Sequence, residues 1–99
     1  MSKVLRVYGT SIRINNLELR NNTSLVSSPD KLEIVCWQPT DVENHQTCFT
    51  VCQFVGNPDD GFDIRSIRDR IFHSDVDVDT LNSLIKIGFK ILEEVDELC

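Results

Sequence analysis

Apolar and polar residues alternate along the first two thirds of the chain, which is the pattern of β-strands. Within residues 11–21 the apolar residues occupy even positions before Asn15 and Asn16 and odd positions after them. This shift by one position predicts a turn or bulge between two short strands. The apolar stretches 3–9 and 31–38 predict one further strand each. In the second of these, Leu32, Ile34 and Cys36 share one face, and Glu33, Val35 and Trp37 share the other.

A β-hairpin is predicted between residues 47 and 68. Residues 47–56 alternate with period two and are apolar on both faces, which is typical of a central strand covered on both sides. The sequence Asn-Pro-Asp-Asp-Gly at 57–61 consists of residues that favour a tight turn. The alternation of apolar and polar residues resumes after it. The predicted faces of the first strand are Cys48, Thr50, Cys52 and Phe54 on one side and Phe49, Val51, Gln53 and Val55 on the other.

In the segment 73–99 the apolar residues recur every three or four positions, which predicts an amphipathic helix. Asp77 or Asp79 is expected to cap its N-terminus. Gly88 lies in the middle of the apolar face, where glycine disfavours a helix, so we expect the helix to approach the sheet closely at this point. The predicted fold class is α+β: a single domain, residues 1–99, with an antiparallel sheet of four to five strands and one long C-terminal helix packed on it.

Charge is distributed unevenly along the chain. There are 10 Lys and Arg against 16 Asp and Glu, a net charge of −6, and the whole excess falls after residue 55. An acidic protein lacks the cations that neutralise phosphates, so we expect no sequence-independent binding of DNA or RNA. The N-terminus lacks the apolar core of a signal peptide, and no stretch has the length and apolar character of a membrane span. A cytoplasmic protein with free thiols is therefore expected.

The residues that could bind a metal or act as nucleophiles show no recognisable site. Cys48 and Cys52 would lie about 13 Å apart on one strand, which is too far for a single ion with thiolate ligands. The acidic stretch 75–79 lacks the glycine and the glutamate of a calcium loop. Strand cysteines in a core are inert because burial raises the pKa of a thiol. We therefore predict no metal, no cofactor and no catalytic residue, and hence a protein that is not an enzyme.

A cluster of arginines follows the predicted hairpin. Arginine is suited to bidentate contacts with phosphate or carboxylate groups, and aromatic rings can stack on a base. One interpretation is a pocket for a small anionic, cyclic nucleotide. The alternative is structural, with the arginines paired to Asp63, Asp69 and the acidic helix. The candidate ligand-binding residues are Arg65, Arg68, Arg70, Phe62 and Trp37.

Residues 37–64 contain an ordered series of features: an aromatic-x-Pro-x-Asp stretch, a polar loop, an apolar strand ending in Gly, a turn, and an aromatic-Asp-aliphatic segment. This series resembles that of small bacterial immunity proteins, the antidotes encoded beside secreted or contact-delivered toxins. The chain departs from the family pattern after Ile64, where a Thr-Pro pair would be expected. The matching residues are Trp37, Pro39, Asp41, Val51, Phe54, Val55, Gly56, Gly61, Phe62, Asp63 and Ile64.

The resemblance implies a cytoplasmic antitoxin that inhibits one cognate toxin, such as a nuclease, by binding and occluding it without catalysis. Glu93, Glu94 and Glu97 are then candidate partner-binding residues, because an acidic surface complements a basic active site. The alternative function, from a different class, is sequestration of the anionic nucleotide by the arginine cluster. Because residues 47–56 are apolar on both faces, we also predict a homodimer formed through the sheet.

Overall fold

The structure, a computed structural model, confirms the predicted α+β architecture. It describes residues 11–21, 32–57, 59–67 and 76–97, with helix side chains as far as residue 93. The predicted strand at 3–9 lies outside these residues. The elements are β1 (Ile12–Ile14), β2 (Leu17–Asn21), β3 (Leu32–Pro39), β4 (Gln46–Asn57), β5 (Gly61–Ser66) and α1 (Val78–Glu97). The five strands form one antiparallel sheet in the order β1-β2-β3-β4-β5, so each strand pairs with its neighbour in sequence.

Two tight turns connect the hairpins at the two edges of this sheet, as the sequence predicts. Asn15 has a φ of 56° in the two-residue turn between β1 and β2. Asparagine is one of the few residues that tolerate this left-handed conformation. In the β4–β5 turn, Asn57 Oδ1 accepts hydrogen bonds from the backbone N–H groups of Asp59 and Asp60 at 3.0 and 2.8 Å. Gly61 follows with a φ of 87°, which only glycine adopts without strain.

β4 contains a β-bulge opposite the middle of β3. Ile34 pairs with Cys52, but the next residue, Val35, pairs with Thr50, so Val51 is an extra residue in β4. An extra residue reverses the alternation of the strand beyond it. For this reason the sequence-based assignment of the two faces of β4 is wrong.

The bulge moves the apolar residues of β4 to one side of the sheet. Phe49 pairs with Cys36 and therefore shares a face with Cys52 and Phe54. The opposite face, here called the outer face, receives Cys48, Thr50, Gln53 and Val55. β4 is therefore not apolar on both faces, and the basis for the predicted homodimer is removed, although the dimer itself remains a prediction.

The core lies between the other face of the sheet and α1. Phe54 contacts Phe89 edge-to-face, with ring centroids 5.1 Å apart and an interplanar angle of 79°. A Cβ atom at position 88 would overlap the Phe54 ring, so Gly88 permits the close approach of helix and sheet that the sequence predicts. The buried core consists of Leu17, Leu19, Leu32, Ile34, Cys36, Val51, Cys52, Phe54, Leu81, Leu84 and Leu92.

Asp77 is the N-cap of α1. Its Oδ1 accepts a hydrogen bond from the backbone N–H of Asp79 at 3.2 Å, and its Oδ2 accepts one from the Thr80 hydroxyl at 2.7 Å. Of the two caps that the sequence allows, the structure selects the first, because a side-chain acceptor at this position satisfies a free N–H group of the first helical turn.

Candidate functional site

The indole ring of Trp37 lies on the outer face, beside the loop that joins β3 to β4. The guanidinium carbon of Arg13 is 5.1 Å from the ring centroid, a cation–π arrangement. Arg13 Nη2 also donates a hydrogen bond to Gln46 Oε1 at 3.0 Å, and Trp37 Nε1 donates one to Glu18 Oε1 at 3.2 Å. These contacts fix a large aromatic side chain that stays partly exposed. We define the Trp37 corner as Arg13, Trp37, Pro39, loop 40–45 and Gln46.

Loop 40–45 is closed on itself by Thr40. The Thr40 N–H donates to the His45 carbonyl, and the His45 N–H donates to the Val42 carbonyl, both at 3.1 Å. The Thr40 hydroxyl lies 3.2 to 3.3 Å from those two carbonyls and accepts a hydrogen bond from the Val42 N–H at 3.2 Å. Asn44 has a φ of 64°. The loop is thus held in one shape and presents Val42 with 59% of its surface exposed.

Two hollows open beside Trp37, with volumes of about 710 and 410 Å³. Their sizes fall in the range of ligand and side-chain binding sites. The larger hollow is lined by Trp37, Pro39, Thr40, Val42, Glu43, Asn44, His45 and Gln46. The smaller hollow is lined by Asn16, Trp37, Gln38, Pro39 and Gln46.

An ion-pair network connects the Trp37 corner with the buried carboxylate of Glu33. Arg20 Nη1 is 4.0 Å from Glu18 Oε1, and Arg20 Nε donates to Glu33 Oε1 at 3.3 Å. The Thr50 hydroxyl donates to Glu33 Oε2 at 3.0 Å. Glu33 is only 4% exposed, so these two donors compensate a charge that has lost its water. The same network positions Glu18, which holds the indole N–H of Trp37.

The structure does not bring the described members of the arginine site together. Phe62 packs partly buried against the core, whereas Arg65 lies three residues further along β5 and is exposed on the outer face. Trp37 shares that face but lies four residues along β3 and two strands away from Arg65, about 16 Å by strand geometry. Arg65 also makes no ion pair with any residue that the structure describes. Arg68 and Arg70 lie outside the described residues.

The predicted acidic residues lie on α1, on the opposite side of the sheet from the Trp37 corner. Glu93 is exposed, and Glu94 and Glu97 belong to the same helix, although their side chains lie outside the described part. The last turn of α1 contains no basic residue. Carboxylates near this end meet the negative pole of the helix dipole, which disfavours them. Helix stability therefore does not account for this accumulation of negative charge.

The described cysteines Cys36, Cys48 and Cys52 are free thiols in the structure. Burial raises the pKa of Cys52 above its ordinary value, and the hydrogen-bonding contact with Ser66 opposes this shift only in part. Within the described ranges, no three side chains of the metal-binding types come together as a metal site.

Sequence reasoning identified Trp37 but not the residues that hold it. Arg13 and Gln46 are 33 positions apart and become neighbours only because β1 pairs with β2, β2 with β3 and β3 with β4. A local signal did exist, because a Trp followed by Pro and a polar loop with an Asn marks an exposed, tightly turned connection.

The helix that the structure describes does not combine the length and apolar character required to cross a membrane. Comparisons of the chain with models of protein families, with curated proteins and with solved structures gave no significant match.

Proposed function

We propose that this protein is a non-enzymatic, cytoplasmic inhibitor that binds and occludes a cognate protein toxin, such as a nuclease. The Trp37 corner carries this proposal. Tryptophan and arginine are the residue types most enriched at the energetic centre of protein interfaces. Here the Trp37 ring is partly exposed, stacked with Arg13 and bordered by a hollow and a polar loop.

The rigidity of the corner supports the proposal further. Binding is weakened when side chains and loops must be ordered during association. Trp37 is already fixed by Glu18 and Arg13, and Thr40 already closes the adjacent loop. A partner would therefore meet a surface that needs little rearrangement.

The charge of the protein contributes in a different way. A net charge of −6 attracts a basic partner over a distance and raises the association rate. Glu93, Glu94 and Glu97 lie on the helix side, away from the Trp37 corner. We therefore expect the corner to determine how slowly the complex dissociates and the helix to determine how fast it forms.

The test is a thermal-shift screen against any toxin domain encoded beside the gene and against a panel of cyclic and linear nucleotides. A partner present at one hundred times its dissociation constant adds about 2.7 kcal/mol to the free energy of unfolding, which the screen detects. We expect a shift with the toxin domain that weakens with added salt. A shift with a nucleotide and none with the toxin domain would overturn the proposal and favour sequestration.

Surface plasmon resonance on variants then separates the two surfaces. Trp37→Ala should weaken binding by at least 2 kcal/mol, roughly 30-fold, mainly through faster dissociation. Val55→Ala is the matched control, since Val55 is an apolar side chain on the same face with 40% exposure. Single reversals of Glu93, Glu94 or Glu97 to Lys should mainly slow association, and Asp59→Lys at the β4–β5 turn, which changes the net charge by the same two units, is the control.

A further inference from the structure

The larger hollow of the Trp37 corner has a lining suited to one positively charged side chain. Glu43 is the only acidic residue among the described residues that line it, and that lining contains no lysine or arginine. Pro39 and Val42 supply apolar surface for a methylene chain, and Asn44 supplies an amide group. The combination of an aromatic ring, an apolar wall and a carboxylate matches the parts of an arginine side chain.

Arg13 shows that the Trp37 ring accepts a guanidinium group at this place. Its guanidinium carbon is 5.1 Å from the ring centroid, and its Nη2 is directed to Gln46. Arg13 is not part of the lining of the larger hollow, whereas Trp37 is. The part of the indole that borders the hollow is therefore not covered by Arg13.

The local charge also favours a cation. Loop 40–45 contributes two carboxylates, those of Asp41 and Glu43, and contains no lysine or arginine. An anionic ligand would instead meet the Glu43 carboxylate, and the described lining of the hollow offers no lysine or arginine to bind it. The volume of about 710 Å³ exceeds that of one side chain, so the hollow has room for an arginine together with the turn that carries it.

We infer that the hollow between Trp37 and Glu43 receives an arginine side chain of the partner protein. This inference rests on the proposed function and specifies the chemistry of the contact. The guanidinium would lie against the indole and pair with the Glu43 carboxylate, and Pro39 and Val42 would contact its methylene chain.

Trp37 is the only tryptophan of the chain, so its fluorescence and its indole N–H resonance report directly on this site. The probe is the peptide acetyl-Gly-Arg-Gly-amide, and its control is the same peptide with citrulline, which has nearly the same shape but no charge. We expect the arginine peptide to change both signals with a dissociation constant on the order of 1 mM. The citrulline peptide should leave both signals unchanged.

Glu43→Gln should weaken binding of the arginine peptide about tenfold, because it removes the charge of the acceptor. Asp63→Asn is the matched control. It makes the same change in charge on an exposed residue of the outer face, about 30 Å from the start of β4. Equal responses to both peptides, an unaffected Glu43→Gln variant, or no response at all would each overturn the inference.

The inference and the proposed function can fail separately. If the toxin domain binds and Trp37→Ala weakens the complex while the arginine peptide gives no signal, the function stands and the arginine contact is wrong. If the peptide binds as expected but no toxin domain stabilises the protein, the hollow is a cation site and the function is wrong.

Discussion

The ring of Phe54 fills the space beside Gly88 in which any other residue would place its Cβ atom. A larger residue at this position would require the Phe54 ring or the helix to move. Alanine has the higher intrinsic helix propensity by about 1 kcal/mol, so propensity and packing act in opposite directions at this residue.

Gly88→Ala should lower the free energy of unfolding by about 1 to 3 kcal/mol, because overpacking outweighs the gain in propensity. Urea unfolding followed by Trp37 fluorescence measures the change. Phe54→Leu combined with Gly88→Ala should cost less than the sum of the two single changes, since the smaller side chain leaves room for the methyl group. Strict additivity would contradict the packing argument.

Asp77→Ala should destabilise the protein by about 1 kcal/mol, because the N–H of Asp79 loses its acceptor. Asp77→Asn keeps that acceptor and should be nearly neutral. Asp79→Ala is the comparison within the first turn and should cost less, since it removes only a favourable charge near the helix N-terminus. Thermal unfolding of the three variants ranks them. If Asp79→Ala proved the most damaging, the cap would be assigned to the wrong residue.

Glu33→Ala should reduce the free energy of unfolding by about 2 kcal/mol, because the Thr50 hydroxyl and the Arg20 guanidinium lose a charged acceptor. The control is Asp63→Ala, an exposed carboxylate on the same face. The indole N–H resonance of Trp37 should also move in Glu33→Ala, because Arg20 connects Glu33 to Glu18. An unchanged resonance would mean that the network does not extend to the Trp37 corner.

Thr40→Val should weaken binding of the toxin domain about tenfold while it changes the free energy of unfolding by less than 1 kcal/mol. The substitution keeps the size of the side chain and removes the hydroxyl that closes loop 40–45. Calorimetry measures the affinity, and denaturation measures the stability. Thr47 is exposed in β4, so Thr47→Val is the matched control and should alter neither the affinity nor the stability. A large loss of stability would show that Thr40 supports the fold and not only the loop.

Cys52 should make the protein less stable as the pH rises above about 8.5. The pKa of this thiol is raised in the folded state by burial, so the unfolded chain releases the proton first. Its contribution to the free energy of unfolding is therefore constant below the pKa of an exposed thiol and declines above it. Denaturation between pH 7 and 10 should show that the free energy of unfolding declines less with pH in Cys52→Ala than in the unmodified protein. If the free energy of unfolding declines equally with pH in both proteins, Cys52 is not the source of the decline.

The elements of the fold were predictable because each depends on local chemistry. The Asn15 turn, the Asn57 turn and the helix from Val78 follow from residues that are neighbours in sequence. The bulge at Val51 was not predictable, because β4 alternates without interruption in the sequence and only its pairing with β3 reveals the extra residue.

The candidate site was only partly predictable for a related reason. Phe62 and Arg65 are an odd number of residues apart, so strand alternation alone already places them on opposite faces. Trp37 stands out by its type and by the adjacent loop. Its contact with Arg13 depends on the pairing of β1 with β2 and of β2 with β3, which no local pattern of the sequence encodes.

If the proposed binding by the Trp37 corner holds, the closure of loop 40–45 by Thr40 separates recognition from folding. Residues 41–43 are fully on the surface and none of them belongs to the core, so their exchange alters what a partner meets without altering the packing beneath. Under that proposal, duplicated copies of the chain would be able to diverge at these three positions and acquire different partners on an unchanged scaffold. For the same reason, a library restricted to this loop would be a direct way to retarget the protein.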